Sequence, residues 1–513
     1  MELELKKERF SCYRALPPLC GTQEETAETI LPDYLPDVTR LVESSGCLLL
    51  HGCESAEGRV RVSGQLRVSV LYTAEEAQSL RAFVYSLPFE HTMDGRLPDG
   101  TTEVCLEGQL CACDVRPVNP RKLFTRAGIQ LTLTPYTPCT LTVCSGVEDA
   151  EAHGIETLCE TRELPMIRAL REKDFTFSDE LLLSGAKEPA RELLRTRCTL
   201  RLTDQRLLGG KLAIKGLAQL EVLYLDAAGE SARVSGELPF SQVLDGLEED
   251  GGRLTARTVL RLSGIEARIG SESEPDDNRT VSLRLSISAF AVLSERKSVC
   301  CVTDLYSTRC ELSARSETVE LAGEGEYLTR ELPVRERLET GAEVKSVLSA
   351  EVRFQDAGVS GSGEDAEVRV AASLRVLYLD ENGTPLLSER RVELLLRTAL
   401  PEGTQVSVHS ICAGEISASG GLEGVELRFP VFFTLCAANA PCYPCLTSLQ
   451  TEERGDERAN TPSLVLRAVK RDERLWDIAK QYRTTVSAIL AANELSADAP
   501  AAAGTLLLIP RCR

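Results

Sequence analysis

One strand-like segment occurs three times in this chain at nearly constant spacing. The copies are Val62–Tyr72, Ile214–Tyr224 and Val370–Tyr378, and their tyrosines lie 152 and 154 residues apart in a chain of 513 residues. Each copy alternates apolar and polar residues up to the tyrosine, which is the two-residue period of a half-buried strand. A spacing of about 150 residues is the size of one domain. The sequence therefore predicts three β-domains built on one pattern.

The alternation is clearest just before each tyrosine. The apolar pairs are Val68/Val70, Leu220/Val222 and Leu374/Val376, and the polar residues between them are Ser69, Glu221 and Arg375. A hairpin pattern follows in each copy, over 102–115 with 128–134, 259–269 with 281–292, and 406–417 with 425–435. Clusters of Gly, Asp, Asn and Pro supply the turns. The fold class predicted is mainly β, with three repeated antiparallel domains resembling sandwiches or barrels.

Domain boundaries are expected where the alternation stops and the charge rises. We predict β-domains over 1–160, 161–305 and 306–445, a flexible linker over 446–462, and a terminal module over 463–510. Residues 451–460 carry one Ala as their only apolar side chain, so they are expected to be mobile and to give the module independent reach.

The net charge limits the classes of partner. It is −20, which argues against nucleic acid and against adsorption to a naked anionic lipid surface. Residues 1–462 carry the acidity, because the terminal module is nearly neutral. No signal-peptide core and no apolar run of membrane-spanning length is visible, so we expect a cytosolic protein without a transmembrane segment. The nineteen cysteines then suggest buried thiols, with cross-linking in a later oxidising assembly as the alternative.

The terminal module has strong local signals. Residues 464–469 predict a strand, and Asp472 is placed as the N-cap of a helix with apolar residues at Leu475, Ile478, Ala479 and Tyr482. Thr485 is placed as the N-cap of a second helix, and Asn493 as its C-cap. Residues 504–510 predict a closing strand. The order is βααβ in under 50 residues.

This stretch resembles a LysM module. The resemblance rests on Asp472, Leu475–Ala479, Tyr482, 484–486, Ile489, Asn493, Leu495, Gly504 and Leu508–Pro510. It implies a shallow groove for an N-acetylglucosamine polymer between loops at 470–475 and 492–496, where backbone groups bond the acetamido groups. The binding residues implied are Lys470, Arg471, Asp472, Arg474, Leu475, Asn493 and Leu495.

Three arginines depart from the family pattern. Arg471 and Arg483 stand where Gly is usual, and Arg474 stands where Thr is usual. Guanidinium groups suit carboxylates on a protein surface better than neutral sugar, so we interpret the groove as turned toward a protein partner. Simple solvation of these arginines is the alternative. The single tryptophan, Trp476, is expected in the core rather than as a sugar platform.

The body also resembles a family. The segment Leu31–Val38, with Pro-Asp written twice, and the strands ending in Val-Leu-Tyr are similar to SPOCS domains of endospore-forming bacteria, which often precede a C-terminal LysM. The resemblance is strongest in the first copy. Residues 38–43 are interpreted as a short helix capped by the Pro-Asp element.

Catalytic chemistry has no visible support. The four histidines are scattered without a cysteine or acid partner at a catalytic or metal spacing. Cys442 and Cys445 have CxxC spacing but no second pair and no thioredoxin-like context. We therefore expect no enzyme, no catalytic residues, no metal and no cofactor.

The resemblances imply a non-enzymatic spore-coat morphogenetic scaffold on the mother-cell side of the forespore, later part of the coat. Its LysM module would dock on a coat ATPase scaffold, and its SPOCS domains would recruit other coat proteins or self-associate. The alternative is a peptidoglycan-binding wall or cortex protein. A glycan-cleaving enzyme and a phage-tail adaptor are weaker alternatives, since no carboxylate pair stands out.

Overall fold

A computed structural model defines the fold. It describes residues 2–56, 59–74, 77–93, 97, 103–185, 187–246, 253–271, 274, 277–320, 325–341, 343–361, 363–401, 405–422, 424–438, 442–452, 462–496 and 503–511.

Strands dominate the described residues, with two short helices near the C-terminus. The elements are β1 (Glu2–Leu3), β2 (Leu5–Ala15), β3 (Leu19–Ile30), β4 (Arg40–Ala56), β5 (Arg59–Ala74), β6 (Ala77–Met93), β7 (Glu103–Asn119), β8 (Lys122–Val147), β9 (Ile155–Leu182), β10 (Ala190–Leu208), β11 (Lys211–Asp226), β12 (Ser231–Asp245), β13 (Arg253–Ile269), β14 (Thr280–Ser307), β15 (Glu311–Glu320), β16 (Glu326–Glu339), β17 (Val344–Ser360), β18 (Glu367–Asp380), β19 (Pro385–Arg397), β20 (Gln405–Ala413), β21 (Ser417–Gly421), β22 (Gly424–Ala438), β23 (Cys442–Glu452), β24 (Leu464–Ala468), α1 (Leu475–Tyr482), α2 (Val486–Ala492) and β25 (Leu506–Pro510). The predicted mainly β fold class is confirmed. Neither helix of the described chain is long and apolar enough to cross a membrane.

The three copies share one topology. Copy 1 runs from β2 to β8, copy 2 from β9 to β14, and copy 3 from β15 to β23. Each contains an antiparallel three-stranded sheet, β4-β5-β6, β10-β11-β12 or β17-β18-β19, whose central strand ends in the repeated tyrosine. A second antiparallel group lies against it, β3-β8-β7, β9-β14-β13 or β16-β22-β20. In copy 3 one buried cluster joins both groups, with Leu374 and Leu394 from the first and Leu427 from the second.

In each copy, long strands extend beyond the two packed groups of strands. Residues 136–147 of β8 pair with β2, residues 294–307 of β14 pair with the start of β9, and β23 pairs with β15. We call these three antiparallel strand pairs, together with β1, the hairpin layer. Strand β1 pairs with β23 through Glu2 opposite Gln450 and Leu3 opposite Leu449, so the start of the chain joins copy 3. The layer has its own apolar core, which includes Leu141 from copy 1, Met166 from copy 2 and Leu446 from copy 3.

The copies pack together around a common apolar cluster. Equivalent strands β5, β11 and β18 contribute Leu71, Leu223 and Leu377, each immediately before its tyrosine. All three leucines are at most 1% exposed. Because a single cluster takes one equivalent residue from each copy, the three domains form a closed pseudo-threefold body instead of a string.

An ion network lies beside this cluster. The network draws on two sets of equivalent register positions. In the first set, Glu43, Arg195 and Ser349 stand opposite the three leucines. In the second set, two residues later, Ser45, Arg197 and Glu351 stand opposite Ser69, Glu221 and Arg375. The side chains of Arg195 and Glu43 are each only 2% exposed. These residues connect all three copies.

The network joins chemically different residues that occupy equivalent positions in the three copies. Arg195 donates to the Glu43 carboxylate, to Glu221 at 3.2 Å and to the Ser349 hydroxyl at 2.7 Å. Arg197 donates to Glu43 at 2.8 Å and forms an ion pair of 2.9 Å with Glu351. The polar positions of the repeated strand therefore face the neighbouring copies. The sequence alternation identified a polar face correctly but could not say that other copies cover it.

Removing Arg195 should strongly destabilise the body. Arg195→Met leaves Glu43 buried beside a single guanidinium group, and breaking a buried ion pair on one side costs about 3–5 kcal/mol. We expect urea denaturation to show this loss in the free energy of unfolding. The matched control is Arg335→Met, which breaks a solvent-screened ion pair with Glu426 and should leave the free energy of unfolding nearly unchanged. Equal losses in the two variants would contradict a special role for the network.

The network should also make the fold acid-sensitive. Burial alone would raise the pKa of Glu43, but Arg195 and Arg197 outweigh burial and hold that pKa below its ordinary 4.5. The pKa of Glu351 falls to about 2, because Arg197 and Arg353 likewise outweigh the burial that would raise it. A carboxyl group with a lowered folded-state pKa stabilises fully above its unfolded pKa and loses this contribution as the pH falls through the folded value. We expect urea midpoints to fall below about pH 4.5. Glu43→Gln should flatten that fall, and an unchanged slope would contradict it.

The domain boundaries differ from those predicted. Strand β9 crosses the predicted boundary at 160/161, and β14 crosses that at 305/306, because the charged stretches there belong to the partly exposed hairpin layer. The predicted linker over 446–462 begins inside β23, where Leu446 and Leu449 are buried. Its polar part at 453–461 lies outside the described residues.

The Pro-Asp element of copy 1 is a clamped loop. The predicted helix over 38–43 is wrong, since β4 begins at Arg40. Arg121 donates to the Asp37 carboxylate at 2.6 Å and to the backbone carbonyl of Pro32 at 3.0 Å, and its ion pair with Asp33 spans 3.5 Å. The Pro-Asp carboxylates therefore hold this loop through one guanidinium group and cap no helix.

Free thiols occur throughout the described strands, among them those of Cys12, Cys113 and Cys198. Cys105 and Cys113 are buried, as expected for small apolar residues in strands, and Cys198 and Cys436 are half-buried. Cys111 is exposed, contrary to expectation, because it lies at a register shift between β7 and β8. Cys445 of the CxxC motif is buried in the hairpin layer, and the side chain of Cys442 lies outside the described residues.

Candidate functional site

The terminal module folds as βααβ around a small core. Strands β24 and β25 pair antiparallel, and both helices pack on them through a cluster that includes Ile478, Ile489 and Ile509, all fully buried. Thr485 is the N-cap of α2, as predicted, and its hydroxyl accepts from the Ala488 N–H at 3.0 Å.

Helix α1 begins differently from the prediction. Its N-cap is Arg474, without a side-chain cap, while Asp472 lies in the preceding turn with a φ of 61°. Glu473 organises this turn, since its carboxylate accepts from the Lys470 N–H at 3.0 Å and from Arg467 at 2.6 Å. The first loop is thus fixed from inside the module by Arg467.

Asn493 fixes the second loop. Its side-chain amide donates to the carbonyl oxygens of Ile489 and Leu508 at 2.7 Å each, and its oxygen accepts from the Leu508 N–H at 2.7 Å. It therefore ties the end of α2 to β25. Of the predicted site residues, Asn493 is accordingly a positioning residue for the loop, as well as the C-cap expected from the sequence.

The remaining predicted site residues fall into two groups. Lys470, Arg471 and Asp472 are exposed on the first loop. Leu475 and Leu495, one beside each loop, are half-buried and pack against the same core cluster. Each loop therefore has one half-buried leucine beside it, and the first loop also carries exposed charged residues.

Arg474 is engaged within the module. It donates to Asp477 at 3.1 and 3.0 Å, one turn ahead on the same helix, which raises the pKa of Arg474 and lowers that of Asp477. Its charge is therefore already balanced by a neighbouring carboxylate.

The module is docked on the body through α1 and the residues that follow it. Asp304 of β14 accepts from the Trp476 indole at 2.8 Å and from Lys480 at 2.5 Å. Tyr306 of the same strand donates to the Thr484 carbonyl at 2.7 Å and meets the Trp476 ring edge to face, with centroids 4.9 Å apart. Trp476 is therefore buried at a junction between module and body rather than in the module core alone.

Arg483 belongs to this junction as well. It is the C-cap of α1 with a φ of 55°, the left-handed conformation in which glycine is favoured. Its guanidinium group forms an ion pair with Glu311 of β15. A cavity of about 440 Å³ lies beside this pair, lined by Tyr306, Cys310 and Lys480 among others. The junction thus supplies a reason for arginine at a position that strains it.

Sequence reasoning missed the body side of the junction. Asp304, Tyr306 and Glu311 lie in stretches that differ little from other charged strand ends. The available signal was Arg483 itself, because a bulky residue at a left-handed cap needs a compensating contact. In the described part of the chain, His, Cys, Asp and Glu side chains nowhere form a group of three that could hold a metal ion.

Comparison with known families identifies the module. Residues 468–510 match the LysM domain model, so the chain contains a C-terminal LysM domain. Neither the curated proteins nor the solved structures give a significant match to the chain. The resemblance of the body to SPOCS domains stays a prediction.

Weakening the junction should release the LysM domain without unfolding it. Asp304→Ala removes the acceptor of both Trp476 and Lys480. We expect a red shift of fluorescence from this single tryptophan and faster protease cleavage between body and module. Asp472→Ala, in an exposed carboxylate of the groove loop, is the matched control and should change neither. Unchanged fluorescence in Asp304→Ala would show that the junction does not hold the module.

Proposed function

We propose that this protein binds an N-acetylglucosamine polymer, such as peptidoglycan, through the groove between its two LysM loops. The presence of a LysM domain supports glycan binding in general. The observation that carries the proposal is that the body docks on Trp476, Lys480 and Arg483, while Lys470, Arg471 and Asp472 of the first loop are exposed. The described part of the body therefore leaves the first loop of the groove exposed.

The arginines obstruct the groove less than the sequence suggested. Arg483 turns toward Glu311 of the body, and Arg474 is held by Asp477. Arg471 and Arg474 both reach into solvent, with side chains 92% and 61% exposed, and Asp472 is a loose ion partner of Arg471 at 3.8 Å. The interpretation of a groove turned toward a protein partner by three arginines therefore loses Arg483, while Arg471 and Arg474 remain exposed beside the first loop.

The groove offers the groups that an acetylated sugar needs. Asp472 and Glu494 have positive φ, 61° and 51°, one on each loop, and within the described chain their backbone N–H groups have no acceptor. Such left-handed positions expose backbone amides to a ligand carbonyl. Leu475 and Leu495 supply apolar contact for the sugar faces. The pairing of exposed amides with these two leucines suits N-acetylated sugars, and the proposal requires no catalysis.

The groove can be tested in the full chain. We expect retention on insoluble peptidoglycan and saturable binding of soluble N-acetylglucosamine oligomers by calorimetry. Leu495→Asp should raise the dissociation constant by about tenfold or more, because it places a carboxylate under the sugar face. Leu182→Lys, at an exposed leucine of the body, is the matched control and should bind normally. Absence of binding to both ligands by the unmodified chain would overturn the proposal.

A second candidate is the non-enzymatic spore-coat scaffold, acting in the mother-cell cytosol and docking on a coat ATPase through the same module. The favouring observation is Arg471, whose exposed guanidinium group suits a carboxylate on a protein surface. Arg471→Glu distinguishes the two candidates. Under glycan binding, peptidoglycan retention in this variant changes little. Under the scaffold function, capture of the ATPase from sporulating cells is lost while peptidoglycan is never retained.

A further inference from the structure

The LysM domain carries an exposed apolar face on its two-stranded sheet. Leu464 and Leu466 of β24 are 52% and 61% exposed, and Leu506 and Leu508 of β25 are 61% and 38% exposed. Leu466 stands directly opposite Leu508. Four leucines on one face of a domain this small make a contiguous apolar patch, and such patches usually mark a contact site.

Within the described residues, the edge of β24 beside this face is not paired with another strand. Arg511 N–H bonds to Ser463 O, and Val469 N–H bonds to Thr505 O, so odd-numbered residues of β24 form the ladder with β25. Residues of an antiparallel pair alternate between bonded and non-bonded positions. Leu466 and its even-numbered neighbours therefore point their N–H and C=O groups away from β25.

The two edges of the sheet differ. On β25, Asn493 covers the outward N–H and C=O of Leu508. On β24, the outward groups of Leu464, Leu466 and Ala468 have no partner within the described chain. Edge strands are commonly protected by charges, proline or a bulge. The stretch 464–468 has no proline, and its one charged side chain, Arg467, turns inward to Glu473.

We propose that β24 pairs with β24 of a second copy of this chain, antiparallel about a two-fold axis at Leu466. The outward N–H and C=O of Leu466 would bond to those of Leu466 in the partner, and Leu464 would stand opposite Ala468. The two sheets then become one four-stranded sheet with a continuous leucine face. This surface is separate from the glycan groove, and the proposal does not rest on glycan binding.

A second copy fits this edge for two reasons. The segment centred on Leu466 is apolar on both sides, so it complements itself under a two-fold axis, as isologous contacts require. Residues 463–510 are also nearly neutral, with six basic and five acidic residues, while the whole chain carries −20. Two acidic copies therefore repel each other least when they meet through this domain.

The contact is small, which sets its strength. A five-residue strand pair with its leucines buries less than the roughly 800 Å² per partner of a standard stable interface. The dimer should therefore be weak in dilute solution. It becomes effective where several chains are held on one polymer or surface, since a high local concentration favours the second contact.

Sedimentation equilibrium of the full chain tests the proposal. We expect a monomer–dimer equilibrium that is populated at tens to hundreds of micromolar, on the order expected for a small interface. Leu466→Lys should weaken it by about a hundredfold, because two leucines leave the contact and two ammonium groups meet at the axis. Leu182→Lys adds the same charge at an exposed leucine of the body and should leave the equilibrium unchanged.

Folding of the variant is checked independently. Trp476 fluorescence reports the module and its junction, and an unchanged spectrum in Leu466→Lys shows that the domain is intact. Leu464→Lys is a second variant with the same expected loss. A chain that stays monomeric up to about millimolar concentration overturns the proposal, as does a dimer that both β24 variants leave intact.

Discussion

The ion network on the pseudo-threefold axis is the constraint on which the body depends. Equivalent positions carry Glu43, Arg195 and Ser349, so each copy meets two neighbours that are chemically different from itself. Burying charges gives little net stability. Chemically different residues at equivalent positions instead make the packing of the three copies specific. Three identical copies would bring like charges together at this axis. The chain is therefore committed to one order of its three domains.

Closure around the axis determines where the LysM domain sits. Because β23 of copy 3 pairs with both β15 and β1, the hairpin layer is closed by the first residues of the chain. That layer fixes the end of β14, and Asp304 and Tyr306 hold α1 from there. The position of the groove thus depends on packing by the first residues of the chain, which are more than four hundred positions away from the groove in sequence.

The sequence predicted many of the secondary-structure elements but not which elements pack against each other. Period-two alternation located β5, β11 and β18, and local signals located the cap at Thr485, because both depend on neighbouring residues. The polar face at Glu221 could not be assigned, since alternation is the same whether water or another domain covers it. The helix predicted at 38–43 failed because Arg121, more than eighty residues away, fixes that loop. Pairing across copies is a property of three-dimensional packing.

Arg483 illustrates how a departure from a family pattern should be interpreted. In sequence it replaces a small residue near the expected groove, which suggests a changed ligand. In the structure it keeps the left-handed backbone that favours glycine and extends to Glu311 of the body. The strain of a non-glycine residue there must be compensated by surrounding contacts. Arginine at this position therefore reflects attachment of the domain to this body, and ligand choice is left to the exposed first loop, beside which Arg471 and Arg474 keep solvent-exposed side chains.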